Sequence, residues 1–197
     1  MLRDYAPLDW QLLTAGAAYA QPSQSVLDRA TLEDPALNVM TDLKAVTAVI
    51  ILSGDTLEEA HRRMIQRGVR LLLVVDQDRR VVGVITSHDI LGEKPMRVVA
   101  QRGLRREELL VRDVMTSQDS LQVLDLATVR VAKVGHVVAT LKQSGRQHAL
   151  VAERDTSGGH IVRGLFSATQ IARQLGVAIA TSEVAHTFAE IEAQLAR

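Results

Sequence analysis

An internal repeat restricts what this chain can fold into more than any other feature of its sequence. The tripeptide Val-Met-Thr at residues 39–41 occurs again at 114–116, which is 75 positions further along. A glycine follows each copy at a corresponding place, Gly68 in the first and Gly145 in the second. Self-similarity in a fixed order indicates that one structural unit is used twice.

Each copy of the repeat predicts the same order of elements, β-α-β-β-α. A short apolar strand precedes a helix whose apolar residues recur every three or four positions, and two strands joined as a hairpin precede a second helix. In the first copy, the predicted elements are a strand at 48–52, a helix containing Leu57, Ala60 and Met64, strands at 71–75 and 81–85, and a helix from Thr86. In the second copy, they are a strand at 123–129, a helix containing Val134, Val137, Val138 and Leu141, strands at 149–152 and 161–166, and a helix from Ser167.

The first helix of each copy carries signals at its ends. Asp55, with Glu58 three residues later, is predicted to cap the start of this helix in the first copy. Gly68 and Gly145 stand where a glycine in the left-handed conformation ends a helix. We therefore expect both copies to close this helix in the same way.

One such unit cannot bury both faces of its sheet with two helices alone. Two units that pair through their sheets would solve this problem, so we predict an α+β fold of tandem units packed sheet to sheet, with an N-terminal arm and a C-terminal helix. The predicted boundaries are 1–37 for the arm, 38–97 for the first unit, 98–110 for a charged connector, 111–177 for the second unit and 178–197 for the C-terminal helix.

The C-terminal segment is amphipathic from Ser182 to Leu195, because Val184, Phe188 and Ile191 recur between them at helical spacing. Such a helix can pack on its own chain, or it can form a contact between subunits. The sequence leaves both interpretations open.

Composition argues against several classes of function. The chain has 23 basic and 23 acidic residues, so it has no positive excess with which to bind nucleic acid. It has no cysteine, and its six histidines form no metal-binding motif. The sequence contains neither a nucleophile elbow nor a Walker loop, so it does not predict a hydrolase. The apolar stretch 45–52 is too short to span a membrane, and the first residues lack a signal-peptide core, so we expect a cytoplasmic protein.

The most specific motifs lie along the two hairpin strands and at the start of the helix that follows them. Residues 68–76 read Gly-Val-Arg-Leu-Leu-Leu-Val-Val-Asp, 83–90 read Gly-Val-Ile-Thr-Ser-His-Asp-Ile, and 164–171 read Gly-Leu-Phe-Ser-Ala-Thr-Gln-Ile. Together with the Val-Met-Thr openings, this ordered set resembles the CBS-domain family, whose domains occur in tandem pairs called Bateman modules. The resemblance covers about residues 38–176.

The resemblance implies a regulatory module rather than an enzyme. Members of the family generally bind AMP, ADP, ATP or S-adenosylmethionine in clefts between the paired domains. They usually pair further into dimers, and they control an attached domain or a partner. For this chain we therefore expect an adenosyl ligand, a homodimer and a target protein.

The resemblance assigns the Gly-x-x-Thr-x-x-Asp segment to recognition of ribose. Asp89 could accept hydrogen bonds from both ribose hydroxyls, and Thr86 could face the ligand from the strand-to-helix junction. The same two residues also form a capping box, which needs no ligand. In the second copy, Ser167 and Gln170 still predict a cap but supply no carboxylate. We therefore predict one competent site at Asp89 and a weak or vacant site at Ser167.

Other parts of the expected site are an anion ligand and apolar walls. Arg70 matches a position where related modules often place a basic residue that reaches the ligand phosphate. It could equally be a surface arginine at the end of the hairpin. The adenine would lie against aliphatic side chains, for which we select Ile50, Ile51, Val84 and Ile85.

Two functions of different classes remain. The first is a ligand-sensing module, and the second is an interaction or scaffold protein that kept the fold and lost the ligand. The joint presence of Arg70, Thr86 and Asp89 favours the sensor, whereas the degraded second copy favours the scaffold.

Overall fold

The computed structural model describes residues 29–156 and 158–176 of the chain. Most of the predicted arm, residues 1–28, and the predicted C-terminal helix at 178–197 lie outside the described residues.

The two repeats fold into matching sets of short strands and helices. The first contains β1 Thr41–Asp42, β2 Ile50–Leu52, α1 Leu57–Arg67, β3 Leu71–Val75, β4 Val81–Thr86, α2 Ser87–Leu91 and α3 Lys94–Arg102. The second contains α4 Val111–Val114, β5 Thr116–Ser117, β6 Val123–Asp125, α5 Leu126–Val131, α6 Val134–Ser144, β7 His148–Arg154, β8 His160–Ser167 and α7 Ala168–Gln174. Three 3₁₀ turns accompany them, at Ala36–Val39, Arg106–Glu108 and Gln118–Ser120.

The strands form two four-stranded sheets, in the orders β2-β3-β4-β5 and β1-β8-β7-β6. Strand β2 pairs in parallel with β3, and β6 with β7, because helices connect the two strands of each pair. The hairpin strands, β3 with β4 and β7 with β8, pair antiparallel. Helices cover one face of each sheet, and the other faces meet in a shared apolar layer that includes Leu71, Leu73, Val84 and Leu150. This arrangement confirms the predicted α+β fold with sheets packed face to face.

The opening strand of each repeat belongs to the sheet of the other repeat. Thr41 on β1 pairs with Leu165 on β8, and Thr116 on β5 pairs with Val84 on β4. The residues beside these strands follow them into the opposite core. Ala36 and Val39 are buried with the second sheet, whereas Leu109, Val111 and Val114 are buried with the first. The two units are therefore interlaced, and neither can leave without removing a strand from its partner.

The two glycines at the crossing points allow this close approach. A Cβ added to Gly83 would lie 2.5 Å from the backbone oxygen of Thr116, and one added to Gly164 would lie 2.7 Å from that of Thr41. The methionine that precedes each threonine packs on the same glycine. The Val-Met-Thr motif of each repeat and the strand glycine of the other thus form one contact, made twice.

The predicted ends of the first long helix in each repeat agree with the structure at the C-terminus and differ from it at the N-terminus. Gly68 and Gly145 both end their helices at φ of 63°, as predicted. The cap of α1 is Thr56, whose hydroxyl accepts from the Glu59 amide, so the choice of Asp55 was wrong. Asp55 instead accepts a hydrogen bond from the Leu52 amide.

The strand predicted at 123–129 is shorter in the structure. It ends at Asp125, whose carboxylate accepts from the Ala127 amide and caps α5. The apolar run beyond Asp125 therefore continues as a helix, with Leu126 and Val129 turned into the core.

We expect Gly83→Ala and Gly164→Ala each to lower the free energy of unfolding by about 1–3 kcal/mol, because the added methyl group meets backbone oxygen of a crossing strand. Urea denaturation of the purified variants measures this change. Gly54→Ala is the matched control, since a Cβ there meets nothing within 4 Å. Equal stability of the three variants would contradict the proposed role of the crossing contact.

Candidate functional site

The predicted site residues lie where the hairpin strands pass into the second helix of each repeat. Leu71 pairs with Thr86 at this end of the first sheet, and His148 pairs with Ser167 in the second. The Ser87 amide donates to the Arg70 carbonyl at 2.9 Å. The same bond recurs in the second repeat, from the Ala168 amide to the Gln147 carbonyl.

Thr86 and Asp89 form a complete capping box at the start of α2. The Thr86 hydroxyl accepts from the Asp89 amide at 3.2 Å, and Asp89 Oδ2 accepts from the Thr86 amide at 2.9 Å. Asp89 Oδ2 also accepts from the Thr86 hydroxyl at 2.7 Å. These short local bonds fix the carboxylate, whose side chain is 15% exposed. The capping function predicted as the alternative to ribose binding is therefore present in the structure.

A lysine that the sequence did not single out completes the surroundings of Asp89. Lys94 Nζ, from the first residue of α3, donates to Asp89 Oδ1 at 3.2 Å. The same ammonium donates to the Met115 carbonyl at 3.3 Å, just before β5. One side chain thus links α2, α3 and a strand of the other repeat.

The second repeat does not reproduce the capping box. Ser167 makes no side-chain bond to the start of α7, so the prediction that the cap survives there was wrong. Gln170 turns instead toward the crossing strand β1, where its Oε1 accepts from the Thr41 hydroxyl at 3.3 Å. The amide is held by the strand exchange and does not reach back to Ser167.

The Arg70 side chain crosses from the first repeat to the second. Its Nη2 donates to the hydroxyl of Thr169 on α7. Partial desolvation, followed by the charge of Arg173 on the same helix, lowers the pKa of Arg70 from its usual value. Arg70 is therefore an exposed arginine at the end of the hairpin whose side chain also makes a contact between the repeats.

His148 lies beside this contact, at the first position of β7. Burial, and to a smaller extent the positive charge of Arg70, lowers the pKa of His148 to about 4. The imidazole is therefore uncharged at neutral pH, when it offers one donor and one acceptor. His148 stands at the start of a hairpin strand, next to the position that matches Arg70, so the sequence could identify it as a candidate site residue. Nothing in the sequence marks Thr169 or Arg173 in this way.

Arg70 and Arg173 are two positive charges that repel each other. Among residues 29–156 and 158–176, neither forms an ion pair with a carboxylate. Guanidinium groups that repel each other and lack a counter-charge favour binding of an anion such as phosphate.

Strand alternation divides the four residues predicted as adenine walls. Ile50 and Val84 face the layer between the two sheets. Ile51 and Ile85 are 1% and 0% exposed and lie in the core beneath α1 and α2. Successive residues of a strand point to opposite faces, so the Ile51 and Ile85 side chains are turned away from the layer between the sheets. The adenine walls stay a prediction.

A separate groove of about 290 Å³ lies between the start of α1, the end of α2 and the 3₁₀ turn at Arg106–Glu108. None of the predicted site residues lines it.

In the part of the chain that the structure covers, no three His, Cys, Asp or Glu side chains are placed to hold a metal ion. No helix within that part is both long and apolar enough to cross a bilayer.

Comparison with known proteins agrees with the architecture. Residues 38–95 match the family model of the CBS domain. Protein MJ1225 of Methanocaldococcus jannaschii is 27% identical over 127 residues, which are 59% of this chain and 45% of that relative. The chain thus spans about half the length of this curated relative.

Two solved structures share the fold. A conserved protein from Pyrococcus horikoshii has a TM-score of 0.53 and 22% identity, covering 77% of this chain and 99% of its own. The CBS-domain protein ATU1752 from Agrobacterium tumefaciens has a TM-score of 0.52 and 15% identity, covering 79% and 98%. Residues 38–95 therefore match the CBS-domain model, and the described chain has the fold of a CBS-domain pair.

The buried imidazole of His148 predicts loss of stability in mild acid. Its pKa is about 4 in the folded chain against 6.5 ordinarily, so the unfolded chain binds the proton first as the pH falls. The contribution is fully present above pH 6.5 and is lost between 6.5 and about 4. We expect the free energy of unfolding to fall by about 2 kcal/mol more in the wild type than in His148→Leu between pH 7 and 5.

Leucine is the appropriate replacement, since Leu71 occupies the matching first position of β3. Urea denaturation of both proteins at the two pH values gives the comparison. Identical pH dependence in wild type and variant would show that His148 is not responsible.

Proposed function

We propose that this protein is a regulatory module that binds one adenine nucleotide per chain, in the cleft where the two repeats meet. The observation that carries the proposal is the bond from Arg70 to Thr169, which brings the charge of Arg70 against α7 of the other repeat, where Arg173 follows Thr169 by four residues. Neither arginine of this cationic cluster has a carboxylate partner among the described residues. An anion would offset their repulsion, and it would also join the repeats. The CBS-domain match at 38–95 supports a ligand of the adenosyl class.

The charge of the cluster favours a phosphate-bearing ligand over S-adenosylmethionine. The sulfonium of S-adenosylmethionine is a cation, and two nearby guanidinium groups would repel it. AMP, ADP and ATP carry phosphate oxygens that accept paired bonds from the planar guanidinium fork. The Thr169 hydroxyl and the uncharged His148 could add neutral donors at the same place.

The ribose is proposed to bind at Asp89. The capping box holds this carboxylate in one orientation, so little freedom remains to be lost when a ligand binds. The hydrogen bond from the Ser87 amide to the Arg70 carbonyl joins the start of α2 to the residue that leads to the cationic cluster. The adenine would pack against Ile50 and Val84, which face the layer between the sheets.

The second repeat supports a single ligand. Gln170 replaces the carboxylate, and its amide is already bonded to Thr41 on the crossing strand. Ser167 makes no capping bond. A second ribose would find no ionised acceptor at the start of α7, so we keep the expectation of a weak or vacant second site.

A module of this kind acts by changing shape rather than by catalysis, and we propose no reaction for it. Binding across the two repeats would favour the arrangement in which both contact the ligand. The proposal includes a cytoplasmic homodimer whose ligand state is passed to a partner protein, with no role for nucleic acid or membrane.

The alternative remains a scaffold protein that binds no nucleotide. Its support is the capping box, because Thr86 and Asp89 satisfy each other without any ligand. The Arg70 contact with Thr169 could likewise serve only to hold the repeats together. A binding measurement separates the two functions.

We expect calorimetric titration to show binding of AMP, ADP or ATP near one ligand per chain. Arg70→Gln should weaken nucleotide binding by about tenfold, because a charge-assisted contact to phosphate is lost. Its effect on adenosine, which has no phosphate, should be small. Arg62→Gln is the matched control, since Arg62 is exposed on α1 and pairs with Glu59.

Asp89→Asn tests the ribose contact in the same assay, with 2′-deoxy-AMP as the second probe. We expect the variant to weaken AMP binding and to bind AMP and 2′-deoxy-AMP about equally. If the folded, nucleotide-free wild-type protein binds none of these ligands, the scaffold function is favoured. Stronger binding of S-adenosylmethionine than of any nucleotide would refute the phosphate argument.

A further inference from the structure

We infer that Lys94 is an internal competitor of the ligand at Asp89, and that a nucleotide binds fully only when Lys94 leaves this carboxylate. The inference rests on the proposed function and extends it to a residue that neither the motif nor the repeat indicates. It is carried by the number of hydrogen bonds that Asp89 already accepts.

A carboxylate offers about four positions for donors, two on each oxygen. Asp89 Oδ2 accepts from both the amide and the hydroxyl of Thr86, at 2.9 and 2.7 Å. Asp89 Oδ1 accepts from Lys94 Nζ at 3.2 Å. One position therefore remains, whereas a ribose that binds through both hydroxyls needs two. At least one resident donor must leave.

Lys94 is the donor that can leave at the smallest cost. The bond from the Thr86 amide is part of the capping box of α2, so its loss would leave the start of that helix unsatisfied. The Thr86 hydroxyl is held beside Asp89 Oδ2 because it accepts from the Asp89 amide at the same cap. The Lys94 side chain is 42% exposed, and water can solvate its ammonium as soon as it moves. Partly exposed ion pairs contribute little net stability.

Displacement of Lys94 would be felt beyond the ligand. The ammonium also donates to the Met115 carbonyl at 3.3 Å, so its departure breaks the link from α2 to both α3 and the start of β5. The far end of α3 stays attached, because Arg102 pairs with Asp113 on α4. Helix α3 would thus be released at its first turn and held at its last.

The competitor is confined to the first repeat. The residue that matches Asp89 in the second repeat is Gln170, and the residue five positions further on is Leu175. Leu175 packs against the apolar core of the second sheet. The ligand site proposed to be competent is therefore also the one that carries the internal cation.

Lys94→Met removes the charge and keeps the length of the side chain. We expect AMP to bind about two- to fivefold more tightly to this variant than to the wild type, because the ligand no longer displaces an ion pair. Arg97→Met is the matched control on the same helix, since Arg97 pairs with exposed Glu93 and its replacement should leave the affinity unchanged.

Hydrogen exchange of the α3 amides provides the second readout. In the wild type we expect saturating AMP to speed exchange in the first turn of α3. In Lys94→Met that turn should exchange faster without AMP and respond little to its addition. A residue that only stabilises the fold would change the exchange of α3 without changing the affinity for AMP.

The possible failures are distinguishable. If the wild type binds AMP and Lys94→Met binds it equally or more weakly, Lys94 is not a competitor, while the proposed function stands. If neither protein binds AMP, the proposed function fails and the competitor fails with it. If only Lys94→Met binds AMP, both the proposed function and the competitor role of Lys94 are supported, because Lys94 then excludes AMP from Asp89 in the wild type.

Discussion

The exchange of opening strands is the contact on which the rest of the structure depends. Strands of only two residues contribute few hydrogen bonds, and they are held because backbone oxygen packs directly on Gly83 and Gly164. Each repeat completes the sheet of the other, so the two inner faces are kept in register with one another. The Arg70 contact with Thr169 requires that register, because its two residues come from different repeats. A site made from both repeats is thus a consequence of how the sheets are closed.

The order of elements could be predicted because its signals are local. Apolar spacing within a helix and a glycine at its end depend on a few neighbouring residues, and these predictions are confirmed. Predictions were wrong where two adjacent residues could both cap a helix. Asp55 and Thr56 are both good helix caps, but the Asp55 carboxylate accepts from the Leu52 amide, so Thr56 caps α1. The segment after Asp125 is apolar enough for either a strand or a helix, so periodicity could not place its end.

The candidate site divides in the same way. The capping box joins residues three positions apart and could be predicted, whereas the bond from Arg70 to Thr169 joins residues 99 positions apart. Gln170 was expected to act locally but bonds Thr41, 129 positions away, on a strand whose exchange the sequence did not reveal. Ile51 and Ile85 lie on the helix-covered face of their sheet, whereas Ile50 and Val84 face the layer between the sheets. Strand alternation alone predicts this difference within each adjacent pair.

The difference between the repeats is physical as well as sequential. In the first, a carboxylate and an ammonium meet at the start of the second helix and can exchange each other for water or for another partner. In the second, the corresponding places hold the amide of Gln170 and the apolar side chain of Leu175, which packs in the core. Releasing buried apolar surface is costly, whereas hydrating an ammonium is not. The second repeat is therefore fixed by packing, whereas the first has an internal contact that can be replaced. A ligand can shift an equilibrium between two conformations of the pair only through the first repeat.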